Sequence, residues 1–221
     1  MALDIVNLSK ALKIVDKVIE GGADIIEVGT PLIKKYGILF IKMVRTEYPD
    51  VQILADSKTV DAGAIEAKVM FDAGADMMTV LGLASNATLT NSLDIAKKYE
   101  KTIVVDLINV DKVMERVTEL YHLGLTNFCF HIGIDVQRER GVNILALLDE
   151  IKKTKATLNI RAFVAGGIKL KDLPLLLEVP IDVVVVGSAI VHSRDPLEAT
   201  RKFKECIRRA KTDNTGKSLF P

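Results

Sequence analysis

The stretch LADSKTVDAG, residues 54–63, places Asp56, Lys58 and Asp61 in a D-x-K-x-x-D pattern at the end of an apolar run. Carboxylates around an ammonium can hold a cation, move a proton or stabilise a developing anion. Asp56 and Lys58 stand two positions apart, so on an extended segment both face the same side. Asp4, Glu27, Asp106 and His131 close other apolar runs in the same way. One acid at a strand end is most simply a rim residue. Convergence of all of them on one face makes a pocket in which opposite charges keep each other ionised. His131, in FCFHIGID, suits acid–base work. His122 lies near a helix C-terminus, where its cation favours the dipole, and His192 in GSAIVHSRD reads as a surface group.

Two further tips, VAGGIK (164–169) and VVGSAI (185–190), are glycine-bearing. They put Gly166, Gly167, Gly187 and Ser188 where backbone N–H groups can approach a phosphate.

The elements that must carry these groups alternate along the whole chain. Strand-like runs fall at 2–5, 24–28, 51–56, 76–81, 102–108, 127–132, 159–165 and 182–187. Helical patterns lie between them, as at 8–22, 65–75, 113–125 and 196–210, with Leu8, Leu12, Val15 and Ile19 recurring at a helical period. Gly21–Gly22, Gly74 and Gly124 fit helix C-caps. The continuous apolar run VVVV (183–186) suits a parallel strand covered on both faces. Eight strand–helix units predict a single (β/α)8 TIM barrel, with an open doubly wound sheet as the alternative. A barrel gathers chemistry at the C-terminal ends of its strands, where the charged residues and glycine tips stand. The first strand is expected to be very short.

The chain has 221 residues, with Lys and Arg numbering 30 against 29 Asp and Glu. That balance gives no field to attract nucleic acid or an anionic membrane, so an anionic substrate must be met by local groups. Cys129 and Cys206 stand in no metal-ligand spacing and read as structural thiols in a reducing compartment. Without a visible secretory leader or membrane span, a cytoplasmic protein is expected. No linker divides the chain, so one catalytic domain is read over 1–210, followed by a polar C-terminal tail over 211–221.

ADSKTVDAG, EVGTPLI (27–33), MTVLGLA (78–84) and the AGG and VGSAI tips resemble the orotidine-monophosphate decarboxylase suprafamily over nearly the whole chain. Within it, the hexulose-phosphate synthases are most similar, with the 3-keto-L-gulonate-6-phosphate decarboxylases near relatives. The resemblance implies a homodimer with shared active sites that adds formaldehyde to ribulose 5-phosphate through an enediolate. It implies Mg²⁺ held by Glu27 and Asp56, with Lys58 stabilising the intermediate and Asp61 reaching the partner subunit's site. His131 would be the acid–base residue, Asp4 and Asp106 would hold substrate hydroxyls, and Gly166, Gly167, Gly187 and Ser188 the phosphate. A decarboxylase of this group resembles H-R-S-R-D after the histidine and carries a glutamate on strand five. Here the segments read His131-Ile132-Gly133-Ile134-Asp135 and VVDLI. Ile134 has no proton to give, which favours formaldehyde fixation over decarboxylation or over a barrel that only binds a sugar phosphate. Asn109 stands where the synthases commonly show glycine, Ile132 replaces a small or hydroxyl residue, and Val136 replaces a glutamate.

Overall fold

The computed structural model describes the backbone of residues 1–216 and the side chains of residues 1–210. Eight parallel strands are found among these residues: β1 Ala2–Leu3, β2 Ile25–Val28, β3 Gln52–Thr59, β4 Met77–Leu81, β5 Thr102–Asp106, β6 Asn127–His131, β7 Arg161–Ala165 and β8 Val183–Val184. Their spatial order is β1 to β8 in sequence. The Ala2 N–H donates to the Val186 carbonyl at 2.9 Å, linking the two edges. The chain is a (β/α)8 barrel.

Helices follow the strands: α1 Leu8–Glu20, α2 Thr30–Tyr36, α3 Leu39–Glu47, α4 Gly63–Asp72, α5 Asn86–Lys98 and α6 Val113–His122. Then come α7 Ile134–Arg140, α8 Leu148–Thr157, α9 Leu173–Leu176, α10 Ser188–Val191 and α11 Pro196–Gly216. In α1, Asn7 caps the start by accepting from the Lys10 N–H, while Ala11, Ile14, Val15 and Val18 are buried at helical spacing. Gly22, Gly74 and Gly124 take positive φ just past their helices, whereas Gly21 stays right-handed.

The core has two layers. The larger apolar cluster joins the outward strand faces to the helices, with Ile26, Ile53, Met78, Val105, Phe128, Phe130 and Val164 buried in it. A second, smaller cluster fills the barrel lumen: Leu54, Met77, Val104, Cys129, Phe163 and Ala165, flanked by Ile25, Val183 and Val185. Side chains two apart on a strand share a face. The lumen residues Ile25, Leu54, Met77, Val104 and Cys129 therefore lie one step below Glu27, Asp56, Thr79, Asp106 and His131. The apolar plug is the floor on which the polar layer stands.

β1 is as short as its sequence run suggests, at two residues. β8 is shorter than the run that suggested it, and Val183, Val184 and Val185 are only half-buried in the single chain. The last helix runs on to Gly216, so the segment read as a tail begins as helical backbone, and 217–221 lie outside the described residues. Cys129 is buried and Cys206 half-buried, both as free thiols.

Candidate active site

The strand-tip groups converge on a cavity of about 620 Å³ at the C-terminal mouth of the barrel. Asp4, Glu27, Asp56, Lys58 and His131 line it together with Gly166, Gly167, Gly187 and Ser188. The residues that sequence singled out thus make most of the site, with Asp61 and Asp106 as the exceptions.

Lys58 is the centre of the polar layer. Its Nζ donates to Asp56 Oδ1 at 3.0 Å and to Asp106 Oδ2 at 2.7 Å. Burial alone would lower the ammonium's pKa, but Asp106 and Asp56 together outweigh it and hold Lys58 above its ordinary value. The backbone here is not the regular extended segment that spacing suggested. The register between β3 and β4 shifts between Ala55 and Thr59, and Lys58 takes φ +48°, a left-handed conformation uncommon for a side chain larger than Asn. Such a bulge re-aims a side chain, and here it aims the ammonium at both carboxylates.

Asp106 lies beneath the cavity wall. It is 2% exposed, and its carboxylate also meets His131 Nδ1 at 3.1 Å. Burial pushes its pKa up, yet the hydrogen bonds and charges of His131 and Lys58 prevail and bring it down to about 2. Asp106 thereby joins Lys58 and His131 in one hydrogen-bonded unit. With Nδ1 occupied, His131 offers Nε2 for proton exchange.

Asp56 is held just as closely. Its Oδ1 also accepts from Thr79 Oγ1 at 2.9 Å, and its Oδ2 accepts from Thr30 Oγ1 at 2.8 Å. Neither threonine was singled out by sequence. Thr79 carried a legible signal, since it stands two positions after the lumen residue Met77 and so faces inward.

Glu27 Oε2 is buried and has no hydrogen-bond partner among the described residues. Desolvation, then the charges of Asp56 and Asp4, push the Glu27 carboxyl well above its ordinary range. Asp4 lies just past β1, open to the cavity, and is raised by removal from bulk solvent and by Asp56. A Cβ on Gly29 would collide with Asp4 Oδ1, so this glycine lets the carboxylate fit. Three carboxylates facing one cavity, one with a bare buried oxygen, form a donor set that suits a hard divalent cation. Asp106, Cys129 and His131 also bring potential ligand atoms within 4.8 Å of one another. That group is less suited, because burial pushes the Cys129 thiol well up and Asp106 is already engaged by Lys58.

At the opposite wall, Gly166 and Gly167 follow β7 with φ +124° and +68°. Side chains do not fit there: a Cβ on Gly166 would meet the Ile132 carbonyl at 2.7 Å, and one on Gly167 would collide with Gln137 Oε1. Gln137 Nε2 donates to the Ile132 carbonyl at 2.7 Å and ties the β6 tip to α7. Ser188 opens α10, and exposed His192, just past that short helix, also lines the cavity. Asn109 takes φ +58°, a left-handed conformation that asparagine tolerates better than most residues other than glycine.

Asp61 is exposed at the entrance to α4 and does not line this chain's own cavity. His122 ends α6 as an exposed residue. Among the described residues, no helix is long and apolar enough to cross a membrane.

Comparison with known proteins places this geometry. The family model for "Orotidine 5'-phosphate decarboxylase / HUMPS family" matches residues 1–203. The 3-hexulose-6-phosphate synthase of Bacillus subtilis is 39% identical over 94% of this chain and 97% of its own length. A crystal structure of 3-hexulose-6-phosphate synthase from Salmonella typhimurium superposes with a TM-score of 0.90 at 37% identity, covering 95% of this chain and 97% of that one. A crystal structure of 3-keto-L-gulonate-6-phosphate decarboxylase from Vibrio cholerae gives a TM-score of 0.83 at 28% identity, covering 94% of this chain and 95% of that one.

Proposed function

Because the chain belongs to the orotidine 5'-phosphate decarboxylase / HUMPS family and is an enzyme, we propose that it acts as a 3-hexulose-6-phosphate synthase, an aldehyde-lyase joining formaldehyde to D-ribulose 5-phosphate. The observation that carries this reading is the single hydrogen-bonded unit of Asp56, Lys58, Asp106 and His131 at the cavity floor. An enediolate needs a base to form it and fixed positive charge to stabilise it, and this unit supplies both.

In this mechanism His131 Nε2 removes a proton from C1 of the ketose phosphate. The electron pair moves onto the C2 oxygen, and the Lys58 ammonium stabilises the charge that develops there. C1 then attacks the formaldehyde carbon, its carbonyl electrons move to oxygen, and that oxygen takes back the proton from His131. No proton is gained or lost overall, and the product is one carbon longer. Asp106 keeps the imidazole oriented and supports its cationic form, as a buried carboxylate does for a histidine base. Asp4 faces the cavity to accept from a substrate hydroxyl. The backbone around Gly166, Gly167, Gly187 and Ser188 receives the phosphate. Glu27 and Asp56 would hold Mg²⁺, which when bound supplies positive charge to the substrate oxygens.

Ile134 is 55% exposed and lines the cavity. It can neither donate a proton nor orient a water, which weighs against the decarboxylase alternative. We place the active form as a homodimer. Val60 and Ile65 are exposed on either side of Asp61, Val69 lies four positions further along the same helix, and Leu83 is exposed after β4. An apolar surface of this kind around an acid suits a second copy of the chain, with Asp61 directed to the partner's cavity.

The test is formaldehyde consumption with ribulose 5-phosphate, with Mg²⁺ and with a chelator. Consumption is expected to stop with the chelator and to fall at least ~1000-fold in Lys58→Ala with unchanged circular dichroism. A fully active Lys58→Ala enzyme, or no consumption by the wild type, overturns the reading.

A further inference from the structure

The unit described above is anchored from an adjacent strand by a residue outside the cavity lining. Thr79 stands on β4, opposite the bulge in β3, and is 3% exposed. Its Oγ1 accepts the Lys58 backbone N–H at 2.9 Å and donates to Asp56 Oδ1, also at 2.9 Å. Its carbonyl accepts from Ser57 Oγ at 2.8 Å. One residue therefore binds each member of the Asp56-Ser57-Lys58 triplet.

Both hydroxyl bonds have a specific consequence. A lysine at φ +48° is strained, and such conformations persist only where the surroundings over-determine them. The strand ladder does not do so here, because the pairing skips from Ala55 to Thr59. The Lys58 N–H would otherwise be left without a strand partner at a partly buried position. On the other side, the hydrogen bond to Asp56 Oδ1 fixes the same oxygen that accepts from Lys58 Nζ. The hydroxyl thus sets the lysine's backbone and its counter-ion together.

We infer that Thr79 is a positioning residue that holds Lys58 and Asp56 in their working geometry. It acts before substrate arrives and without contacting it. This inference rests on the functional reading above for its kinetic arm only. The expected signature is a loss in turnover rather than in affinity, since the phosphate cradle lies across the cavity on β7 and β8.

Thr79→Val keeps the shape of the side chain and removes the hydroxyl, Thr79→Ala removes it without placing a methyl against the carboxylate, and Thr79→Ser retains it. With ribulose 5-phosphate and formaldehyde, Val and Ala are expected to lower kcat about 30- to 100-fold with KM within about threefold, and Ser to recover to within about fivefold of wild type. A second arm needs no substrate: hydrogen exchange at the Lys58 amide should speed at least about tenfold in Val and Ala and remain slow in Ser, with the global unfolding midpoint compared in parallel. Unchanged exchange at Lys58 in both variants overturns the inference, as does full turnover in either. A wild type that consumes no formaldehyde overturns the proposed function and leaves the exchange comparison to decide the role of Thr79. A Ser variant as impaired as Val also overturns it, because then the methyl and not the hydroxyl matters.

Discussion

At the scale of single residues, the site is a set of charges whose stability costs differ in sign. Asp106 is depressed to about 2 from an ordinary 3.8. A depressed carboxyl contributes stability that is complete above its unfolded value and is lost as the pH falls through the folded one. That contribution is about 2 kcal/mol and disappears as the pH drops from about 4 towards 2. Denaturant midpoints measured down this range should show a steeper loss for wild type than for Asp106→Asn. Glu27 has the opposite sign. Burial raises its carboxyl, so its cost is absent at low pH and grows as the pH rises through the raised value. At neutral pH and without a divalent cation, Glu27→Gln is therefore expected to be more stable than wild type by about 1–3 kcal/mol. Adding Mg²⁺ should raise the melting temperature of wild type and leave Glu27→Gln nearly unmoved. Thermal scans with and without the cation check both statements.

At the scale of elements, strand ends and glycine tips were legible in sequence because a strand's period and a parallel strand's apolar run survive any context. Asp56, Lys58, His131 and both glycine tips were found this way. The bulge in β3 was not, since it arises from long-range pairing with β4 and no local residue announces it. Asp106 shows the same limit. Its position at a strand end was readable, but whether it faces the cavity or lies beneath it depends on Lys58 and His131 reaching over it. Gln137 was missed because its partner is a backbone carbonyl five residues back, a contact with no residue-type signature. The β7 tip yields its own prediction. Gly167→Ala must strain φ +68° and push Gln137 aside, so KM for the sugar phosphate should rise about tenfold or more with a smaller change in kcat. Steady-state kinetics with ribulose 5-phosphate varied at saturating formaldehyde measures this.

At the scale of the whole molecule, the barrel divides labour by depth. Leu54, Met77, Val104, Cys129 and Phe163 plug the lumen, the polar layer stands above them, and loops close the rim. Asp61 belongs to none of these in its own chain. It is exposed beside Val60 and Ile65, which is why a second copy of the chain is proposed to complete the site. Mixing Asp61→Ala with Lys58→Ala subunits should restore up to about a quarter of the sites' activity, with subunit exchange verified by mass. No recovery after verified exchange contradicts a shared site. The polar layer is proposed to form an enediolate, and that step can be observed without formaldehyde. In D₂O, with ribulose 5-phosphate and Mg²⁺ alone, proton NMR should show deuterium replacing hydrogen at C1 in the presence of the wild-type enzyme and not with Lys58→Ala. A wild-type enzyme that turns over with formaldehyde but leaves C1 unexchanged would contradict the account.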